Sequence, residues 1–144
     1  MEFLGTGKII RSIGAYLKRP KISDVRLKQY TITGIPINSA NTDVGNFIGL
    51  PTKYRVRSLT AFDASGTPIL GSLALYTAAA AGGTNLVAAA TITALTAASK
   101  FFDFTLAVTA DYQTATTLYL RNVIANAAAV TVSVRLEIED LTTY

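Results

Sequence analysis

A chain of 144 residues with no cysteine and no histidine is long enough for one domain with its own core. Its composition excludes disulfide scaffolds, zinc knots, thiol nucleophiles and any mechanism built on an imidazole. Half of the residues are hydrophobic and only 15% are charged, against about 25% in an average domain, which points to a surface partly covered by neighbours.

The net charge of +4 is uneven. Residues 1–30 hold seven Lys/Arg against Glu2 and Asp24, residues 31–57 hold three against Asp43, and the remainder holds three against six acids. Such a distribution suggests a basic arm (residues 1–30) joined to a mildly acidic body (residues 31–144), each with its own partners. The opening Met1-Glu2-Phe3-Leu4-Gly5 has no basic segment leading into an apolar run, so no signal peptide is expected.

Within the arm, Ile9, Ile10, Ile13, Tyr16 and Leu17 fall on one helical face, with Lys8, Arg11, Lys18 and Arg19 between or beyond them and Pro20 ending the pattern. The spacing predicts a short amphipathic helix over 8–19, which needs a partner to pack against because a dozen residues are marginal alone. Residues 20–52 mix a strand at Gln29–Ile37 with many turn formers, and read as irregular ground between arm and body. From Lys53 the period changes to two. Strands are predicted from Lys53 through Phe62, over Ile69–Thr77, more weakly over Leu86–Thr93, from Phe102, over Thr116–Ile124 and from Val130 through Glu139. In the last, Val132, Val134 and Leu136 are expected inside, with Ser133, Arg135, Glu137 and Glu139 on a wet face. About seven closely spaced strands predict an all-β protein, an antiparallel β-sandwich with a jelly-roll-like topology, preceded by the helical arm. The charge-free stretch between Asp63 and Lys100 is too rich in Ala, Thr and Gly to favour a membrane span.

Candidate sites are few. Gly5-Thr6-Gly7-Lys8 has the wrong spacing for a phosphate loop and is followed by Ile9. Glu137 and Glu139 are separated by about 7 Å of strand, as in paired catalytic carboxylates, yet lie on the polar face. Asp63, Asp103 and Asp111 are scattered singly, with no metal-ligand spacing. No catalytic, cofactor or metal residue is therefore expected, and the chain reads as a non-enzymatic binding protein. The contact residues are expected in the arm, at Lys8, Ile9, Ile10, Arg11, Ile13, Tyr16, Leu17, Lys18 and Arg19. Their interleaving of charge with isoleucine favours a docking helix over nucleic-acid or membrane binding. The tracts Ala78–Ala81, Ala88–Ala90 and Ala127–Ala129 read equally as thinly packed edges or as places where another backbone comes close.

Residues 54–141 resemble a family of small structural proteins of tailed bacteriophages. The resemblance is carried by Tyr54-Arg55-Val56-Arg57, Ser65-Gly66, Leu75-Tyr76-Thr77-Ala78-Ala79, Gly82-Gly83, Leu95-Thr96-Ala97-Ala98-Ser99-Lys100-Phe101, Thr117-Leu118-Tyr119-Leu120 and Ala127-Ala128-Ala129-Val130-Thr131-Val132. It implies a virion component, of head-decoration or cement type, located on the capsid surface and made in the host cytoplasm. Its partners would be the major capsid protein or other virion subunits, together with copies of itself, a trimer in the first instance. A minor tail or head–tail adaptor protein is a second expectation. A small-virus jelly-roll coat protein with a nucleic-acid-binding arm is a third.

Overall fold

The computed structural model describes residues 26–96, 99–107 and 112–142. Within them lie eight strands: β1 (Arg26–Pro36), β2 (Thr42–Ile48), β3 (Tyr54–Phe62), β4 (Ser72–Ala78), β5 (Gly82–Thr91), β6 (Phe101–Asp103), β7 (Thr117–Ile124) and β8 (Thr131–Asp140). Sheet one has the order β1-β8-β3-β6 and sheet two the order β2-β7-β4-β5. All pairings are antiparallel, and first meets last throughout: β1 with β8, β2 with β7, β3 with β6 and β4 with β5. The chain is thus one long ribbon rolled into two facing sheets, the jelly-roll arrangement expected from the strand count. The predicted helix at 8–19 lies outside the described residues.

The core forms between the sheets. Val56, Leu59 and Ala61 of β3 and Val132, Val134, Leu136 and Ile138 of β8 meet Leu73 and Leu75 of β4 and Leu118 and Leu120 of β7. Two bulges keep apolar residues inside where strict alternation would turn them out. Thr33 and Gly34 together oppose Ser133, so Ile32 and Ile35, three apart, both face inward; Gly34 supplies the positive φ of 66°. A second bulge at Arg57 does the same for Val56 and Leu59, and leaves Arg55 and Arg57 on one side.

Three expectations change. β1 begins at Arg26, so the arm–body boundary after residue 30 falls inside a strand. The reason is electrostatic: Lys28 Nζ lies 2.7 Å from Asp140, and Gln29 donates to Glu137 at 2.9 Å, which ties these polar residues to β8. The stretch 42–48, read as irregular, is β2, because Asp43, Phe47 and the register with β7 override its Gly and Asn. Ser133, expected on a wet face, is only 3% exposed, with Phe62 opposite it across the β3–β8 ladder. The charge-free stretch after Asp63 forms β4 and β5, and no helix among the described residues is long and apolar enough to cross a membrane.

The β4–β5 hairpin turns on Ala79 to Gly82. Ala80 and Ala81 have φ of 54° and 62°, and Gly82 N–H donates to the Ala79 carbonyl at 3.0 Å. Positive φ at both central residues is a type I′ feature that favours Asn-Gly and costs an alanine about 1 kcal/mol. The double substitution Ala80→Asn, Ala81→Gly is therefore expected to stabilise the fold by about 1–2 kcal/mol, read as a raised urea midpoint with an unchanged slope.

Candidate subunit-contact surface

Strand direction alternates along the chain, so the connecting segments fall at two ends of the sandwich. Among the described residues, one end collects 37–41, 63–71, 92–96, 99–100 and 125–130; the other collects 49–53, 79–81, 104–107, 112–116 and both ends of the strand ribbon, at Arg26 and Asp140. The two ends differ in charge.

The end with Arg26 and Asp140 is ionic. The Lys28 ammonium, aided by the Thr142 hydroxyl and backbone N–H, holds the Asp140 carboxyl down at about 2, against the burial that favours its neutral form. Nearby, Lys53 Nζ sits 4.7 Å over the Tyr112 ring. The buried Tyr54 donates its hydroxyl to the Ala115 carbonyl at 2.8 Å, and burial pushes that phenol up. Because the Asp140 carboxyl titrates lower in the folded chain than in the unfolded one, its contribution is present above the unfolded value near 4. It is lost as pH falls toward 2. The thermal midpoint is expected to drop between pH 5 and pH 2, and Asp140→Asn to lower it at pH 6 while flattening that drop.

Across the outer face of sheet one, Glu139 lies 3.9 Å from Arg55 and 3.5 Å from Arg57, the pair that the β3 bulge aligns. Glu137 accepts from Gln29. The two glutamates are thus engaged separately in cross-strand contacts, the arrangement of a structural polar face. Asp103 accepts from the Thr60 hydroxyl at 2.6 Å, and no group of three or more His, Cys, Asp or Glu side chains able to hold a metal occurs among the described residues.

Sheet two carries charge within its strands only at Asp43 and Arg121. These bond each other at 2.9 Å, and Asp43 also accepts from Ala80 N–H at 2.8 Å. That contact carries the β4–β5 turn across β7 to the edge strand. The Ala80 amide and the Arg121 guanidinium hold the Asp43 carboxyl below its usual range, against a smaller desolvation effect.

The opposite end of the sandwich is apolar. Its connecting segments hold only Asp63 and Lys100 as charges, and both border a cavity of about 210 Å³ with Ala64, Gly66, Thr67, Leu95, Thr96 and Ser99. At the same end of the sandwich, Ile69, Leu70 and Ile124 are 61%, 51% and 46% exposed, and Ala127 to Ala129 are exposed as well. Asn126 organises this patch from a buried position. Its Oδ1 accepts from Ile69 N–H (2.8 Å) and Leu70 N–H (3.0 Å), its Nδ2 donates to the Ala128 carbonyl, and its own N–H donates to the Ile37 carbonyl. Gly71 completes the close packing, since a Cβ there would sit 2.7 Å from Ile37 Cδ1.

The expected contact residues Lys8, Ile9, Ile10, Arg11, Ile13, Tyr16, Leu17, Lys18 and Arg19 lie outside the described residues. Periodicity missed the apolar patch, because Ile69 and Leu70 precede β4 in a bend and Ile124 is the terminal residue of β7. The signal available was charge: none occurs from residue 64 to 99 or from 122 to 134.

No protein-family model and no curated protein matches the chain. Among solved structures it is similar to a chain of the acidic stable capsid structure of the Helicobacter pylori bacteriophage KHP30, with 16% identity, 79% of this chain and 93% of that chain covered, and a TM-score of 0.42.

Proposed function

We propose that the protein is a non-enzymatic structural subunit of a virion that binds other shell subunits, as a head-decoration or cement protein of a tailed phage. The observation that carries this reading is the apolar end of the sandwich, where Ile69, Leu70 and Ile124 stand exposed on a framework held rigid by Asn126. Monomeric proteins rarely leave aliphatic side chains grouped in this way, whereas subunit contacts use them. The rolled two-sheet architecture, common in shell proteins, supports the reading by analogy. So does the sequence resemblance over residues 54–141. The basic arm is the second contact, docking through Ile9, Ile13, Tyr16 and Leu17.

The test is a mass profile of purified virions, paired with one of virions assembled with a chain lacking residues 1–20. A cement protein is expected at capsid-like copy number, and its truncated form is expected to fold but not to incorporate. A few copies per particle would indicate the tail or adaptor reading instead, and absence from the virion would overturn the proposal.

A further inference from the structure

We infer that Arg55 and Arg57 form a carboxylate-binding pair on the outer face of sheet one, which takes an Asp or Glu side chain from a protein partner. The inference rests on the reading of the chain as a subunit-binding protein and names the chemistry that one partner must offer.

The bulge in β3 creates a local surplus of positive charge. Arg55 stands opposite Glu139 and Ser58 opposite Glu137, so Arg57 is an extra residue with no counterpart on β8. Bulges of this kind re-aim side chains, often beside functional sites. The result is two guanidiniums over one carboxylate. Both reach the same oxygen, Glu139 Oε2, from 3.9 Å for Arg55 and 3.5 Å for Arg57. A saturated charge-assisted hydrogen bond is shorter, about 2.7–2.9 Å. Among the described residues no other acid pairs with either arginine, and Glu137 is bonded to Gln29 instead. Arg55 Nε is moreover buried without an acceptor. A covered donor in that state calls for a partner, and a turn of the guanidinium toward an incoming carboxylate would supply one.

Exposure sets the sign that a partner meets. The Glu139 side chain is only 15% exposed, whereas those of Arg55 and Arg57 are 37% and 50% exposed. The anion therefore lies beneath and the cations stand in water. Arginine is the residue suited to this task, because its planar fork grips a carboxylate through two parallel bonds. On the other flank of Glu139, Leu27 of β1 is its cross-strand neighbour and is more than half exposed. Direct cross-strand neighbours share one face of a sheet, so an aliphatic side chain lies in the same row as the arginine pair. A protein segment that carries an acid beside an apolar residue matches this row. A nucleic-acid backbone matches it poorly, since successive phosphates along the face would meet Glu137 and Glu139.

The test titrates the isotopically labelled full-length chain, at low salt, with three probes: a short blocked peptide of alternating leucine and glutamate, its glutamine counterpart, and oligothymidylate. The acidic peptide is expected to shift the amide signals of Leu27, Arg55 and Arg57, and to bind about tenfold more tightly than the glutamine peptide. Arg57→Glu should abolish that difference while circular dichroism stays unchanged, and Arg135→Ala on the same face should leave it intact. If Arg57→Glu disturbs the fold, Arg57→Gln takes its place. Equal binding of the two peptides, shifts that avoid these three residues, or tighter binding of oligothymidylate than of the acidic peptide would each overturn the inference. The titration does not depend on virion incorporation. Absence of the wild-type chain from virions would remove the structural-subunit reading and leave a measured carboxylate site standing. Presence of the chain with no acidic preference would keep that reading and remove this site.

Discussion

Val134→Asp is expected to leave the chain unfolded at room temperature. Val134 is fully buried in β8, which lies between β1 and β3, and its neighbours across the ladder are Ile32 and Ala61. A carboxylate there has no cation in reach and costs several kcal/mol whether it stays charged or takes up a proton. That is comparable to the whole stability of a domain of this size. The neighbouring Arg135 points outward between Thr31 and Thr60, with its guanidinium 5.9 Å from the Phe62 ring. Arg135→Ala should cost less than about 1 kcal/mol. Circular dichroism and urea titration of both variants check the register. Equal losses would mean that β8 is displaced by one residue, which would exchange the two faces.

Asn126→Ala should be the most damaging change at the apolar end, at about 3 kcal/mol. The alanine deprives two backbone N–H groups, of Ile69 and Leu70, of their acceptor and removes the donor to Ala128. Periodicity would class the substitution as a harmless loop change. Its signature should be regional: amide exchange is expected to accelerate at Ile69 and Leu70 well before β3 and β8 lose protection. An unchanged urea midpoint would show that water replaces the amide, and that the patch is not preorganised.

What the sequence made legible follows from where side-chain alternation is strict. β8 alternates through four apolar positions, and Val132, Val134 and Leu136 lie inside as expected. β2 was hidden because its Gly45 and Asn46 resemble a turn, while its pairing with β7 is a long-range fact. From Phe102 the alternation continues through Phe104 and Leu106, yet β6 spans only Phe101–Asp103, since beyond it the chain leaves β3 and Leu106 bridges to Val87 of β5. Ser133 misled because its cross-strand neighbour is Phe62, a large ring that only the β3–β8 register places beside it. The contact surface was harder still. Asn126, a single buried amide in an alanine-rich segment, has no periodic signature, and the two N–H groups its Oδ1 accepts from are more than fifty residues away. Lys28 and Asp140 were visible as charges, but only the β1–β8 register makes them a pair.

The first-with-last pairing of strands sets the order in which the molecule can be made. β8 occupies an interior position of sheet one, with β1 on one flank and β3 on the other. During synthesis those two strands emerge early and then wait, each with an unsatisfied edge, until residues 131–140 arrive to join them. Closing a loop of that length is slow, and exposed edges recruit other chains in the interval. The β4–β5 hairpin, whose two strands are adjacent in sequence, is the one piece of the ribbon that can form on its own schedule. Productive folding is therefore expected to begin at the strained Ala80–Ala81 turn and to finish after translation has passed β8. A nascent chain arrested before residue 131 should be a target for chaperones rather than a half-built sandwich.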